Sequence, residues 1–494
     1  MTSVTHSPVI VTCVVLYLAS CFFIGIWALR RTHTAADFFV AGKSLGLIVL
    51  AVASFSNIMS GFGFVGGPGL VYESGMSSAW MVLAAPIGFA VSWVILAKRM
   101  RLLAEAREIL TLPDAVEARY GGRWPRFLMA VAILLGVMGY LGTQVMAVGL
   151  VLGAVFGVDL PTGLLIGLSV LAFYSVAGGI IAGVYTDLLQ GLLMIVSAAL
   201  VFFFVLKAGG GMSEISANLW RMDPDFIGPW GTRGPLTVLS WYLLFALGAA
   251  GQPHAITKFL MLKNIRDLRW GALLAVSCYM ILTPLWIGIG GVMRSLVFSG
   301  AQQPLSSPDQ ATPIFLLTYT PPLLAGIVFA GLLAAIMSTA DSFINLGAAA
   351  LVRDIPTAWI GRPLRHELAW SRVATLVVLG ASALFALYMK NLLALLGTFG
   401  WGTFAAAIVP SIAIGLNWKR ATRAACVASI LISILLNFAL ELLARHEIFH
   451  LPHGMNVGCF TLLVSLGIFI GVSWMTTRDG ILPLPPDIEA AMDV

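Results

Sequence analysis

Gly331-Leu332-Leu333-Ala334-Ala335-Ile336-Met337-Ser338-Thr339-Ala340-Asp341-Ser342-Phe343-Ile344-Asn345 decides how the chain is read. It lies inside an apolar run from about Pro322 to Val352, long enough to cross a bilayer as a helix. A carboxylate and several hydroxyls stand near the middle of that run. On a helix, Ser338, Asp341, Ser342 and Asn345 fall at i, i+3, i+4 and i+7 and share one face, with Thr339 at its border. An ionisable side chain inside a span costs roughly 2.5–3.5 kcal/mol on insertion scales, so it faces a cavity, an ion or a partner. The oxygens are hard ligands, suited to a hard cation rather than a soft metal. A polar contact between helices is the competing explanation, because hydroxyls also join membrane helices.

Working outward, the chain has 494 residues, 59% hydrophobic and 10% charged. Its mean hydropathy is +0.96. Soluble proteins average about 25% charged residues. The composition predicts an all-α, polytopic membrane helix bundle forming one domain, 1–494. About thirteen spans are expected, at 8–29, 45–72, 77–97, 127–156, 160–178, 183–206, 236–262, 269–297, 322–352, 371–389, 392–416, 424–443 and 456–476. The first is preceded by no Lys or Arg and ends in Arg30-Arg31, the reverse of a signal peptide. It reads as a retained span with its N-terminus outside. Alternate loops then collect Lys and Arg on the inner side by more than three to one. That predicts a plasma (inner) membrane protein with a short, flexible cytoplasmic tail, 477–494. The net charge of +6 follows from this bias and is not a nucleic-acid signal. Cys13, Cys21, Cys278, Cys426 and Cys459 all fall in apolar runs without metal or disulfide spacing.

Two spans are interrupted. The second contains Ser60-Gly61-Phe62-Gly63-Phe64-Val65-Gly66-Gly67-Pro68-Gly69, and the seventh Gly248-Ala249-Ala250-Gly251-Gln252-Pro253-His254. Such breaks free backbone polar groups in mid-membrane, tolerable only beside protein, a cavity or a ligand. The two lie five spans apart, and paired broken helices point to an inverted-repeat transporter and its binding site. The sixth span opens with Gly178-Gly179 and carries Val184-Tyr185-Thr186-Asp187 and Gln190. Asp187 alone also suits an ordinary helix N-terminal position.

Gly178-Gly179 with Val184-Tyr185-Thr186-Asp187 and Gln190 resembles the signature of the sodium:solute symporter family. So does Ala334-Ala335-Ile336-Met337-Ser338-Thr339-Ala340-Asp341-Ser342, and Gly251-Gln252-Pro253-His254 is similar to the seventh-span break of its proline and pantothenate members. The resemblance implies a LeuT-like fold in which spans two to six repeat, inverted, as spans seven to eleven. It also implies Na⁺-coupled import of a small organic solute by alternating access. The implied sodium site takes backbone carbonyls at Phe55, Ile58 and Ala335 and hydroxyls of Ser338 and Thr339. Asp187 is implied on the cytoplasmic sodium route, and a second sodium or coupling site would use Asp187 with Ser338, Asp341 and Ser342. Ile58 stands where proline members carry an aspartate, so no proline assignment follows.

Solute would lie between the breaks, near Asn57, Ser60, Phe62, Trp241, Phe245, Gln252 and His254. Half-helix N-termini there favour an amino acid or monocarboxylate over a sugar. The expected partners are that solute, Na⁺ and the lipid bilayer, with no organic cofactor, nucleic acid or partner protein. Proton coupling on the same fold is the alternative. Gly61-x-Gly63-x-x-Gly66 matches a dinucleotide fingerprint but lacks the required strand. His446-Glu447-Ile448-Phe449-His450 matches the zinc-protease motif, but Pro452 breaks the helix it needs, so no enzyme is expected. A signalling receptor has no room for a kinase module after the last span.

Overall fold

In hydrocarbon each backbone N–H and C=O needs a partner within the protein, so the long apolar runs become helices. The computed structural model describes residues 7–40, 46–58, 60–263, 265, 268–389, 393–477 and 484–493, without strands among them. Helix α1 is Pro8–Leu29, α2 Leu47–Ile58 and α3 Gly67–Ser74; a π-helical turn, Phe62–Gly66, lies between the last two. Then come α4 (Ala79–Ser92), α5 (Lys98–Ala106), α6 (Leu112–Tyr120), α7 (Arg123–Phe156) and α8 (Leu160–Ala208). Next, α9 (Pro235–Gly248) and α10 (Pro253–Phe259) flank the second break, followed by α11 (Leu268–Phe298), α12 (Pro322–Ala349) and α13 (Glu367–Met389). Last are α14 (Leu393–Ile408), α15 (Arg423–Arg445), α16 (Val457–Thr476) and α17 (Pro486–Met492).

Eleven helical segments among the described residues are long and apolar enough to cross a membrane, and Leu47–Ser56 and Thr283–Phe298 are shorter apolar ones. Together they overlap all thirteen expected stretches. Two of the expected spans share α8. Its 49 residues would reach roughly 74 Å at 1.5 Å each, over twice the hydrocarbon thickness. Its contacts with α12 turn round instead. Tyr174 donates to the Met337 carbonyl, Gly183 abuts Asp341, Asp187 meets Ser338, and Ser197 lies beside Gly331.

Helix α12 runs through the centre, packed by α1, α2, α7, α8 and α13. Its residues from Leu332 to Asn345 are all buried. Large apolar side chains such as Phe23, Ile48, Leu165, Phe203 and Leu384 are exposed on the outer surface, as a lipid-facing bundle requires. The first break is closed from α7: Gly61 N–H donates to Gln144 Oε1 at 2.8 Å, and Phe62 N–H to Ser60 Oγ at 3.2 Å. The second break is closed by its own Gln252, whose Nε2 donates to the Gly248 carbonyl at 3.0 Å.

One end of the bundle is latched by charge. Thr111 and Asp114 form a capping box on α6. Arg126 of α7 donates to Asp114, Glu117 and Asp354, and Arg353 donates to Asp114 and Glu367 at 3.3 and 3.2 Å. The network joins the starts of α6, α7 and α13 to the chain just beyond α12.

The tail is not the free segment expected. Helix α17 docks at the same end, with Ile488, Ala491 and Met492 buried. Arg107 grips Asp487 at 2.5 Å, and Lys419 pairs with Glu489 and Asp493 at 2.8 Å each. Exposed ion pairs contribute little by themselves. Burying an isoleucine side chain is worth about 1.5–3 kcal/mol, so the apolar face is the anchor. Ile488→Glu should therefore release α17, read as faster amide exchange in residues 486–492, while Arg107→Ala or Lys419→Ala alone should change it little. Arg107 holds the Asp487 carboxyl below its ordinary range. Its contribution is present at neutral pH and is lost as pH falls through that lowered value. Because that pair contributes little, exchange in α17 should change only slightly over this pH range, as it should for Arg107→Ala.

Candidate solute and cation site

The two breaks are brought together by rings. Phe62 stacks on Phe245 with centroids 5.6 Å apart and meets Trp286 edge-on at 5.2 Å. Phe245 stacks on Trp401 at 4.6 Å. Tyr140 lies 6.5 Å from Phe62 and shares a 3.4 Å hydrogen bond with Ser60. His254 packs against Phe343 at 4.7 Å. Four of the seven expected solute residues, Ser60, Phe62, Phe245 and His254, are thus in this cluster with Tyr140. Gln252 is tied to it through the Trp401 carbonyl at 3.4 Å. Trp241 sits one turn before Phe245 and lines a larger cavity instead. The side chain of Asn57 lies outside the described residues.

On the residues of this ring cluster and its neighbour Gln252, Gln252 Oε1, Trp286 Nε1 and both ring nitrogens of His254 are buried without a hydrogen-bond partner among the described residues. A buried polar atom left unpaired costs about 1–3 kcal/mol. An acceptor and an indole donor next to stacked rings can orient a small solute with polar and apolar parts.

Of the implied cation ligands, Ala335, Ser338 and Thr339 lie on α12, which packs against α2, the helix of Phe55 and Ile58. Thr339 Oγ1 donates to the Ala335 carbonyl at 3.0 Å, so two oxygens meet at one spot one turn apart. Ser338 donates to Asp187 of α8. Phe55 is buried on α2, its ring beside Gly191 of α8. The side chain of Ile58 lies outside the described residues, and the proposed ligand there is its carbonyl. Asp341 Oδ2 accepts from Asn345 at 3.4 Å, while Asp341 Oδ1 and Asn345 Oδ1 have no partner among the described residues. Ser342 is buried beside them and lines a cavity of about 20 Å³ with His254, Thr257 and Asn345. Such oxygens can hold a hard cation.

One residue changes the reading of Asp187. Lys258 of α10 places Nζ 2.7 Å from Asp187 Oδ2, and both side chains are 1% exposed. Asp187 therefore already has an ammonium partner, beyond the sodium-route role implied for it. The sequence pointed to neither Lys258 nor Trp286, Trp401, Tyr140 and Gln144. Lys258 carried the one available signal, a lysine inside an apolar span.

Access differs at the two ends. A cavity of about 670 Å³ opens away from the arginine latch, lined by Glu73, Arg233, Trp241, Phe399, His450 and His453. The zinc-protease motif ends in this lining. His446 follows the last turn of α15 and Glu447 has φ of 55°, so the motif is not on a helix. Among the described residues no group of three or more His, Cys, Asp or Glu is placed to hold a metal ion.

Comparison with known proteins gives the same picture. The model of the sodium:solute symporter family matches residues 38–433. The high-affinity proline transporter PutP of Bacillus subtilis is 28% identical over 418 residues, covering 83% of this chain and 87% of that protein. The sodium/pantothenate symporter of Escherichia coli is 28% identical over 452 residues, covering 88% and 92%. A substrate-bound, outward-open Na⁺-coupled sialic acid symporter superimposes with a TM-score of 0.79 at 19% identity, covering 97% of this chain and all of that one.

The box makes a steric prediction. A Cβ added at Gly67 would lie 2.2 Å from the Trp286 ring. Gly67→Ala should push that indole and cost about 1–3 kcal/mol, the usual range for overpacking. Gly380→Ala on α13, with nothing within 4 Å, is the control. Thermal unfolding of the two variants in detergent should separate them, with only Gly67→Ala lowered.

Proposed function

We propose, for a chain that belongs to the sodium:solute symporter family and is a Na⁺-coupled symporter of LeuT-like fold, that it imports a small carboxylate-bearing solute. An amino acid or monocarboxylate is the class, and the chain catalyses no covalent step. The observation that carries this is the ring box between the two breaks, with Gln252 Oε1, Trp286 Nε1 and the His254 ring nitrogens left without partners among the described residues. The named solutes of the similar proteins are proline, pantothenate and sialic acid. All three carry a carboxylate, which favours the same group here.

Na⁺ is held by the Phe55, Ile58 and Ala335 carbonyls with Ser338 and Thr339. Spans two to six and seven to eleven form the inverted repeats of a single domain. The basic latch faces the cytoplasm with the tail, and the N-terminus lies outside, as the Lys and Arg distribution favours. The large cavity is then the entrance. Inward Na⁺ movement is worth about 2.3 kcal/mol per charge per 100 mV, before any concentration gradient. The latch and the breaks supply what alternating access needs, a contact to open at one end and half-helices free to tilt.

Two measurements test this. Labelled carboxylates, amino acids and sugars should be offered to proteoliposomes at fixed pH. Uptake of at least one carboxylate should rise with an inward Na⁺ gradient. Equal uptake with K⁺ in place of Na⁺, driven only by a pH gradient, would give the proton-coupled alternative instead. Second, Thr339→Ala and Ser338→Ala should each weaken apparent Na⁺ affinity about tenfold, or roughly 1.4 kcal/mol. Thr339→Ser keeps the oxygen and should be mild. By linkage, high Na⁺ should restore solute affinity in the weakened variants. A packing role predicts instead less folded protein and no rescue by Na⁺.

A further inference from the structure

The buried charges around α12 form one cluster. Asp187 and Gly183 are one turn apart on α8, and Ser338 and Asp341 one turn apart on α12. The two pairs face each other: Ser338 donates to Asp187 Oδ1, and Asp341 Oδ2 would lie 2.6 Å from a Cβ at Gly183. From α10, Lys258 reaches Asp187 Oδ2 at 2.7 Å. Asp187, Asp341 and Lys258 are all about 1% exposed. Asp341 Oδ1 and Asn345 Oδ1, one turn apart on α12, have no partner among the described residues.

We propose that Lys258 is a tethered cation that sets the number of sodium ions the site takes, leaving room for one. The inference rests on the Na⁺-symport reading above. Two carboxylates and one ammonium leave one uncompensated negative charge. In a water-poor interior an uncompensated charge is costly, so the cluster takes up one monovalent cation to become neutral, and Na⁺ competes there with a proton on Asp341. One Na⁺ at the Ala335, Ser338 and Thr339 oxygens, beside Asp341, closes the balance. A second Na⁺ on Asp187 would place two cations on one carboxylate, and the ammonium is already there. Lys258 acts through Asp187, so it is a positioning residue.

Its place on α10 adds a link to solute. Lys258 lies one turn beyond His254, which touches Phe343 and Tyr140 at the box. Tilting of α10 on solute binding moves the ammonium relative to Asp187. The cation site and the solute site thus share a mechanical element as well as charge.

Counting bound sodium tests the proposal without knowing the solute. Equilibrium binding of radioactive Na⁺ to the purified full chain should saturate at one ion per protein. Lys258→Gln raises the uncompensated charge, so it should bind two. The pair Lys258→Gln with Asp187→Asn restores the original balance and should return to one. Lys258→Arg should also stay at one. Asp341→Asn should weaken the single site by about tenfold or more, because it removes the carboxylate that balances the ion. Two sodium ions in the wild type, or one in a folded Lys258→Gln variant, overturns the proposal. If Lys258→Gln does not fold, Asp187→Asn decides it: with Lys258 kept the cluster is already neutral and should bind no Na⁺, and retention of one tightly bound ion overturns the proposal. Failure of Na⁺ to bind the wild type above a K⁺ control overturns the symport reading itself, which is a distinguishable result.

Discussion

A backbone amide set free in the middle of a bilayer has no water to turn to, and this constraint shapes the centre of the molecule. Gly61 N–H is met by a glutamine from α7, and the Gly248 carbonyl by the side chain of Gln252. Once those partners are in place the breaks can persist. The rings of Phe62, Phe245, Trp286 and Trp401 then fill the space between them. A continuous helix at either position would have no freed backbone to offer a ligand and no kink to accommodate one. The ring cluster between the breaks is a consequence of interrupting two helices and supporting the interruptions from elsewhere.

Charge is distributed by a second rule. Side chains at the ends of the bundle form networks that share carboxylates, as Asp114 and Asp354 do with Arg126. In the middle, among the described residues, charge is admitted as a close pair, Asp187 with Lys258, and as one further aspartate, Asp341, beside hydroxyls. Breaking a buried pair by removing one partner costs about 3–5 kcal/mol, far more than a surface pair is worth. The interior pair is thus costly to break, although an apolar pair of equal volume often holds helices as well.

Much of the architecture was legible in the sequence. Span positions followed from apolar length, and both breaks followed from Gly and Pro in the wrong place for a helix. The face of α12 with Ser338, Asp341 and Ser342 followed from helical spacing. What escaped was supplied by residues distant in the chain. Gln144 is separated from Gly61 by 83 positions and Lys258 from Asp187 by 71, and nothing local in either segment announces the meeting. Lys258 was also hidden by its surroundings, because one lysine does not spoil a hydropathy window that otherwise reads as a span. Trp286 and Trp401 look like ordinary apolar residues until the fold sets them around Phe62 and Phe245. The tail misled in the opposite direction. Its prolines and acidic residues read as a loose segment, yet Ile488 is buried and the acids have basic partners waiting just after α5 and beyond α14.

The aromatic box has an optical consequence. The chain has fourteen tryptophans. Trp220, which lies outside the candidate spans, is more than half exposed, whereas Trp286 and Trp401 are 1% and 2% exposed. An aqueous collisional quencher reaches the first kind far better than the second. The emission that survives quenching includes that of Trp286 and Trp401, which pack on Phe62 and Phe245 where the two breaks meet. The protein thus carries its own fluorophores at that junction, and a change in how the breaks pack would be read without an attached dye.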